Sequence, residues 1–285
     1  MNIGTDNKEE NFEEEETFPN SNVEKQKHYH HHHMMYAEKR LGNSYENYCE
    51  IDNVIKLFCN EHKILNKNMN SREDKLVIEN FKLYNPPGDG DCFFHCIVKY
   101  LQLNDTTFTK EPVNGLNLRL FMSKYIKNVA EWCDELLMPQ DVQKTLDILS
   151  NQKIIVQLIY DDFKKTHRSY TEPQLIRMLV ENEILHFYPF ITNLSLKEQL
   201  INISKNIADP KLYIGDEFAI FMMQTLFNNI RINVLIPEVV DNAWFFEFGN
   251  YKSQKEENSI GNEKLDILLF LFHSHYYLFV PNNTF

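Results

Sequence analysis

The stretch NPPGDGDCFFHC, from Asn85 to Cys96, sets a Pro-Pro pair, two of the chain's eight glycines and two aspartates directly before a cysteine and an apolar run. Proline cannot donate to a strand ladder, glycine tolerates positive φ, and aspartate favours turns and helix caps. The segment therefore reads as a strand end, a tight turn and the start of a helix, with Gly88 and Gly90 free to adopt positive φ and Asp89 and Asp91 as candidate caps. In the continuation CFFHCIVKYL, Phe93, Cys96, Ile97, Tyr100 and Leu101 share one helical face, whereas Cys92, His95 and Lys99 share another. Cys96 is thus expected in the core, and Cys92 opens the helix from its more polar side. A thiol at a helix N-terminus feels unpaired backbone N–H groups and the positive end of the helix dipole, which favour the thiolate. The same N–H groups can receive an oxyanion.

Downstream, Leu118, Phe121, Met122, Tyr125, Ile126 and Val129 recur at helical spacing, with Arg119, Lys124 and Lys127 on the polar face. Residues 136–205 read as several helices, around Leu146, around 175–180 and around 194–203. In YIGDEFAIFMMQTLFNN, Asp216 is a candidate N-cap, and Phe218, Phe221, Met222 and Thr225 fall on one face. IRINVLI then alternates as a half-buried strand through Ile230, Ile232, Val234 and Ile236, and AWFFEF, LDILLFLF and YYLFVP read as further strands. Helices first and strands clustered late make an α+β domain, a central sheet flanked by helices.

Upstream the composition changes. Asp6, Glu9, Glu10 and Glu13 to Glu16 face only Lys8, and this tail carries half of the net charge of −12. Residues 1–45, which also include the His-rich tract KHYHHHHMM, read as a disordered tail. Residues 46–82 read as a helical lead-in, with Ile51, Val54, Ile55, Phe58 and Cys59 on one apolar face, so that Cys59 belongs to the core. The compact domain spans 83–285. Of 285 residues, 43% are hydrophobic, enough for a sizeable core. No basic stripe with interleaved aromatics points to nucleic acid, and the longest apolar run, Ile267 to Phe272, is too short to span a bilayer. Five cysteines without disulfide spacing and no basic-then-apolar leader lead us to expect free thiols and a cytoplasmic protein.

A thiol nucleophile needs a base, and FLFHSHYYLFV sets His273 and His275 at a turn between two apolar strands. The pair DGDCFF and HYYLFV, together with LRLFMSKYI and the Gly-Asp-Glu helix and strand after Tyr213, resembles the ovarian-tumour (OTU) family of cysteine proteases. The resemblance runs from about Leu83 to Pro281. It implies a papain-like fold, Cys92 as nucleophile, His275 as general base and Asp89 as the aspartate that shapes the loop before the nucleophile. It also implies deubiquitinase activity, the hydrolysis of isopeptide bonds at the ubiquitin C-terminus, with ubiquitin or polyubiquitin as partner, no cofactor and a monomeric enzyme. His273 is a fallback base without the following aromatic that His275 has in Tyr276. The family often places Asn or Asp two residues after the histidine, where this chain has Tyr277. Either a dyad suffices, or another residue such as Asp89 orients His275, or activity is lowered.

Two rival chemistries compete. Cys92, Cys96, His273 and His275 form a formal zinc ligand set, although Cys96 completes the apolar stripe. Alternatively the chain acts on another ubiquitin-like modifier, or holds ubiquitin as a catalytically weak binder, for which Tyr277 is the one favourable feature.

Overall fold

The computed structural model describes residues 47–61, 79–104, 114–181, 185–227, 229–240, 243–249 and 265–284. The tail 1–45 and residues 62–78 of the lead-in lie outside them.

A six-stranded mixed sheet forms the frame, in the order β1-β2-β6-β5-β3-β4. Its strands are β1 (Asn47–Cys49), β2 (Phe81–Asn85), β3 (Ile230–Val240), β4 (Ala243–Gly249), β5 (Leu265–Phe272) and β6 (His275–Pro281). All neighbours are antiparallel except β3 and β5, which run parallel with Ile232 opposite Ile267. The sheet is covered on both faces, and this explains why β5 and β6 read as near-continuous apolar runs rather than as alternating ones. Ile267, Leu269, Leu271, Tyr276, Leu278 and Val280 enter the larger core, whereas Phe270, Phe272 and Phe279 enter a second cluster on the opposite face.

Helix α1 (Ile51–Glu61) builds that second cluster. Its Ile51, Val54, Ile55, Phe58 and Cys59 are buried, and Phe58 meets Phe272 edge-on at 5.9 Å. The same helix buries Leu235 of β3, so the face of that strand that begins with exposed Arg231 becomes apolar at Leu235, while Ile230, Ile232 and Val234 alternate into the larger core as expected. Asn47–Cys49, read from sequence as helical, is instead a short strand paired with residues 83–85.

The larger core lies between the other face of the sheet and the remaining helices: α2 (Cys92–Leu103), α3 (Gly115–Glu131), α4 (Gln140–Thr166), α5 (Glu172–Glu181), α6 (Leu196–Ala208) and α7 (Glu217–Leu226), with a 3₁₀ segment at Leu185–Ile191. Local signals set several helix starts. Asn114 caps α3 by accepting from Asn117 N–H at 2.9 Å, Ser195 and Glu198 form a reciprocal capping box on α6, and Asp216 caps α7 by accepting from Ala219 N–H. In α3 two expectations are corrected. Phe121, read as core, is 49% exposed and stacks on Phe227, whereas Arg119, read as part of the polar face, is fully buried. The reason for that burial lies at the candidate site.

A candidate thiol–imidazole site at the α2 N-terminus

Asn85 ends β2 and the Pro86-Pro87 pair stops the ladder. Asp91 then stands at the N-cap of α2, where its carbonyl accepts the first helical bond from His95 N–H at 2.8 Å. Its side chain does not cap the helix. It turns inward to pair with Arg119 of α3, both groups being almost wholly buried. Arg119 uses its whole planar fork: Nε donates to Asp91, one terminal nitrogen to the Gly90 carbonyl at 2.7 Å and the other to the Ile207 carbonyl at 2.8 Å. The guanidinium also lies over the rings of Phe94 (4.7 Å) and Tyr213 (5.7 Å). A buried cation with three acceptors and two aromatic faces satisfies its charge locally, and so it can leave solvent. Gly90 has φ +96°, and a Cβ there would meet the Pro210 carbonyl at 2.6 Å, so the position requires glycine.

Asp89 closes the same turn from the outside. One carboxylate oxygen accepts from Asp91 N–H and the other from the His95 ring, each at 2.9 Å. Partial burial pushes its pKa up, but these hydrogen bonds outweigh that and hold the carboxyl below its ordinary value.

Cys92 begins α2 and is 3% exposed. One turn later, Cys96 is fully buried and its Sγ–H donates to the Tyr276 carbonyl at 3.6 Å. Burial, and then the neighbouring Cys92, push the Cys96 thiol well above its usual range, as expected of a core residue. The first turn of α2 is pressed onto the start of β6, for the Phe93 and Tyr276 rings meet edge-on at 5.3 Å. His275, the residue before Tyr276, opens β6. The two-residue turn His273–Ser274 places it there, with both residues at positive φ (51° and 57°), the geometry whose twist suits a tight hairpin.

The His275 ring is held by groups from three places. Its Nε2 lies 2.8 Å from Asn85 Oδ1. An amide oxygen only accepts, so Nε2 carries the proton and the neutral ring presents Nδ1 as its basic nitrogen. Tyr277 stands edge-on to the ring at 4.8 Å. Asp89, Pro86 and His95 act on it from the turn and α2: burial, the largest cause, lowers the imidazole pKa to about 4, Asp89 and the Pro86 carbonyl oppose the fall, and His95 adds to it. Burial first, and then Cys49, Cys92 and Cys96, raise the Tyr277 phenol pKa and keep it neutral, so it offers His275 no negative charge of the kind an aspartate would supply.

Cys92, His275 and Asp89 therefore gather around one turn, while Asp89 bonds to His95 rather than to His275. The orienting acceptor is Asn85. Its only signal in the sequence is a polar residue at the end of an apolar strand, just before Pro86. Arg119 was hidden by its helical spacing. His273 sits in the hairpin turn, and Cys96 in the core, so the formal four-ligand zinc set is divided. Among the described residues, the acid, cysteine and histidine side chains whose ligand atoms converge are Asp89, Asp91 and His95, already engaged by one another and by Arg119.

No family model matches the chain, and no curated protein matches it. Among solved structures it is similar to a ceOTUB1–ubiquitin aldehyde–UBC13~Ub complex, with 13% identity, 86% of this chain and 96% of that chain covered, and a TM-score of 0.34. It is also similar to h/ceOTUB1–ubiquitin aldehyde complexes with UBCH5B~Ub (14% identity, TM-score 0.34) and with UBC13~Ub (16% identity, TM-score 0.33), each covering 92% of this chain and 98% of the other.

Proposed function

We propose that this chain is an OTU-type cysteine hydrolase that cleaves isopeptide bonds at the ubiquitin C-terminus, with Cys92 as nucleophile, His275 as general base and Asn85 as the residue that orients the base. The observation that supports this reading is the His275–Asn85 hydrogen bond, which occupies Nε2 and leaves Nδ1 as the other ring nitrogen at the start of β6, the strand whose Tyr276 packs on Phe93 in the first turn of the helix that Cys92 begins. His275 Nδ1 takes the thiol proton, and the Cys92 sulfur attacks the carbonyl carbon of the terminal glycine of ubiquitin. The oxyanion is received by backbone N–H groups of the 89–92 turn, whose shape is set by Asp89 and Arg119. As the C–N bond breaks, His275 returns the proton to the lysine amine, and water then hydrolyses the thioester. No metal or redox step is needed to balance this sequence. The protein works as a cytoplasmic monomer on ubiquitin or polyubiquitin, and the helical segment 136–205 contributes substrate surface.

One observation favours a second reading, that of a catalytically weak ubiquitin binder. A buried imidazole with its pKa lowered to about 4 rests neutral, and so provides no imidazolium to favour a thiolate at Cys92. Labelling with a ubiquitin probe bearing a C-terminal thiol-reactive group separates the two. The hydrolase reading requires an adduct that is lost in Cys92→Ala, kept in Cys96→Ala and His273→Ala, and weakened in His275→Ala. An unlabelled wild type with its fold intact selects the binder, or a hydrolase for another ubiquitin-like modifier.

A further inference from the structure

His95 occupies the middle of a hydrogen-bonded chain that links two helices to the catalytic turn. Gly115 N–H, in the first turn of α3, donates to His95 Nδ1 at 3.3 Å. That fixes the ring as the Nε2–H tautomer, whose proton points at Asp89 Oδ2, 2.9 Å away. The other oxygen of Asp89 holds Asp91 N–H, at the residue before Cys92. The ring comes so near the α3 backbone that a Cβ at Gly115 would stand 2.6 Å from His95 Nδ1 and 2.8 Å from Cγ. No side chain fits there, so this approach is built into both helices.

We infer that His95 is a positioning residue for acyl transfer: tethered by Gly115, it holds Asp89 so that the 89–92 turn keeps its amide groups aimed at the developing oxyanion. The inference rests on the reading of Cys92 as a nucleophile that forms a tetrahedral intermediate, and it does not require that ubiquitin be the acyl donor. It predicts a division between two reactions of the same sulfur. Alkylation by iodoacetamide displaces iodide without forming an oxyanion. Acylation by p-nitrophenyl acetate forms one: the sulfur bonds the acetyl carbon, the thiol proton passes to His275 and p-nitrophenolate leaves.

Both rates are measured on the full-length protein, with Cys92→Ala as blank. In His95→Phe, which keeps a ring on Gly115 but neither hydrogen bond, acylation is expected to fall about tenfold while alkylation stays within about twofold, a part of the loss seen when an oxyanion donor is removed outright. His95→Gln, with one donor and one acceptor, should recover most of the rate. Gly115→Ala should reproduce the loss from the other helix, and the double variant should add nothing to it. Hydrolysis of a fluorogenic ubiquitin substrate should lose kcat with KM unchanged. An unaltered ratio of acylation to alkylation in His95→Phe, or independent losses in the double variant, would overturn the inference. A wild type that is acylated at Cys92 yet inert towards ubiquitin sinks the ubiquitin reading alone, and one that is not acylated sinks both.

Discussion

Arg119 is the side chain whose replacement should be felt most, and its partners set the size of the effect. In Arg119→Met the aliphatic stem is kept, but the buried Asp91 carboxylate loses its counter-ion and the Gly90 and Ile207 carbonyls lose their donors. Breaking a buried ion pair by removing one partner costs about 3–5 kcal/mol, chiefly because an uncompensated charge stays behind. Against a total stability of about 5–15 kcal/mol, this is a large fraction. Arg119→Lys keeps the charge but cannot span three acceptors in one plane, and we expect it to cost roughly half as much. Asp91→Asn combined with Arg119→Met removes the stranded charge, and should therefore be more stable than Arg119→Met alone. Urea unfolding followed by far-UV circular dichroism, with the slope m unchanged across the set, measures all three. A loss below about 1 kcal/mol for Arg119→Met, or a double variant less stable than that single one, would refute the argument that charge compensation buries this residue.

Further outcomes follow from the same geometry. Asn85→Ala should lower kcat by about 10–100-fold with KM little changed, the usual penalty for losing an orienting partner, and an equal effect on KM would show that Asn85 acts by binding instead. His275, with a folded pKa of about 4 against an ordinary 6.5, binds its proton more weakly folded than unfolded. Its contribution to stability is therefore full above pH 6.5 and is lost as pH falls from there towards 4, by up to about 3 kcal/mol. His275→Gln should flatten that slope in urea midpoints, and an unchanged slope would mean that His275 is not held neutral. Deleting residues 1–45 should leave turnover within about twofold, as expected for a solvated acidic tail. A larger loss would place part of the tail against the domain.

Local signals in the sequence were read well. The hairpin, the Asp216 cap, the apolar face of α1 and the turn ending at Cys92 all depend on residues within a few positions of one another, whereas α2 is buried on more than its expected face, Cys92, Phe94 and Val98 included. What escaped depends on remote partners. Arg119 looks solvated by its spacing, and only the approach of Asp91, Gly90 and Ile207 makes burial favourable. Asn85 is an ordinary strand-end asparagine until β2 pairs with β6, when Tyr84 meets Leu278 and brings the amide beside the first residues of β6. Asn47–Cys49 is too short to carry a period, so its ladder with β2 decided it against the helix that follows.

The pairing of β2 with β6 also determines when the site can exist. Asn85 and His275 are 190 residues apart. Closing a loop of that length costs about 5 kcal/mol of chain entropy, which must be met before the strands return any of it. A chain still lacking residues 275–281 has its thiol and the Asn85 amide but no base for that amide to orient, so on the proposed mechanism it is silent however much helix it has formed. Topologies dominated by such distant pairings fold slowly. On refolding, helical dichroism should recover before Cys92 reactivity does, so that acyl transfer reports the last stage of folding rather than the first. In the proposed hydrolase, connectivity alone withholds activity until β6 is paired.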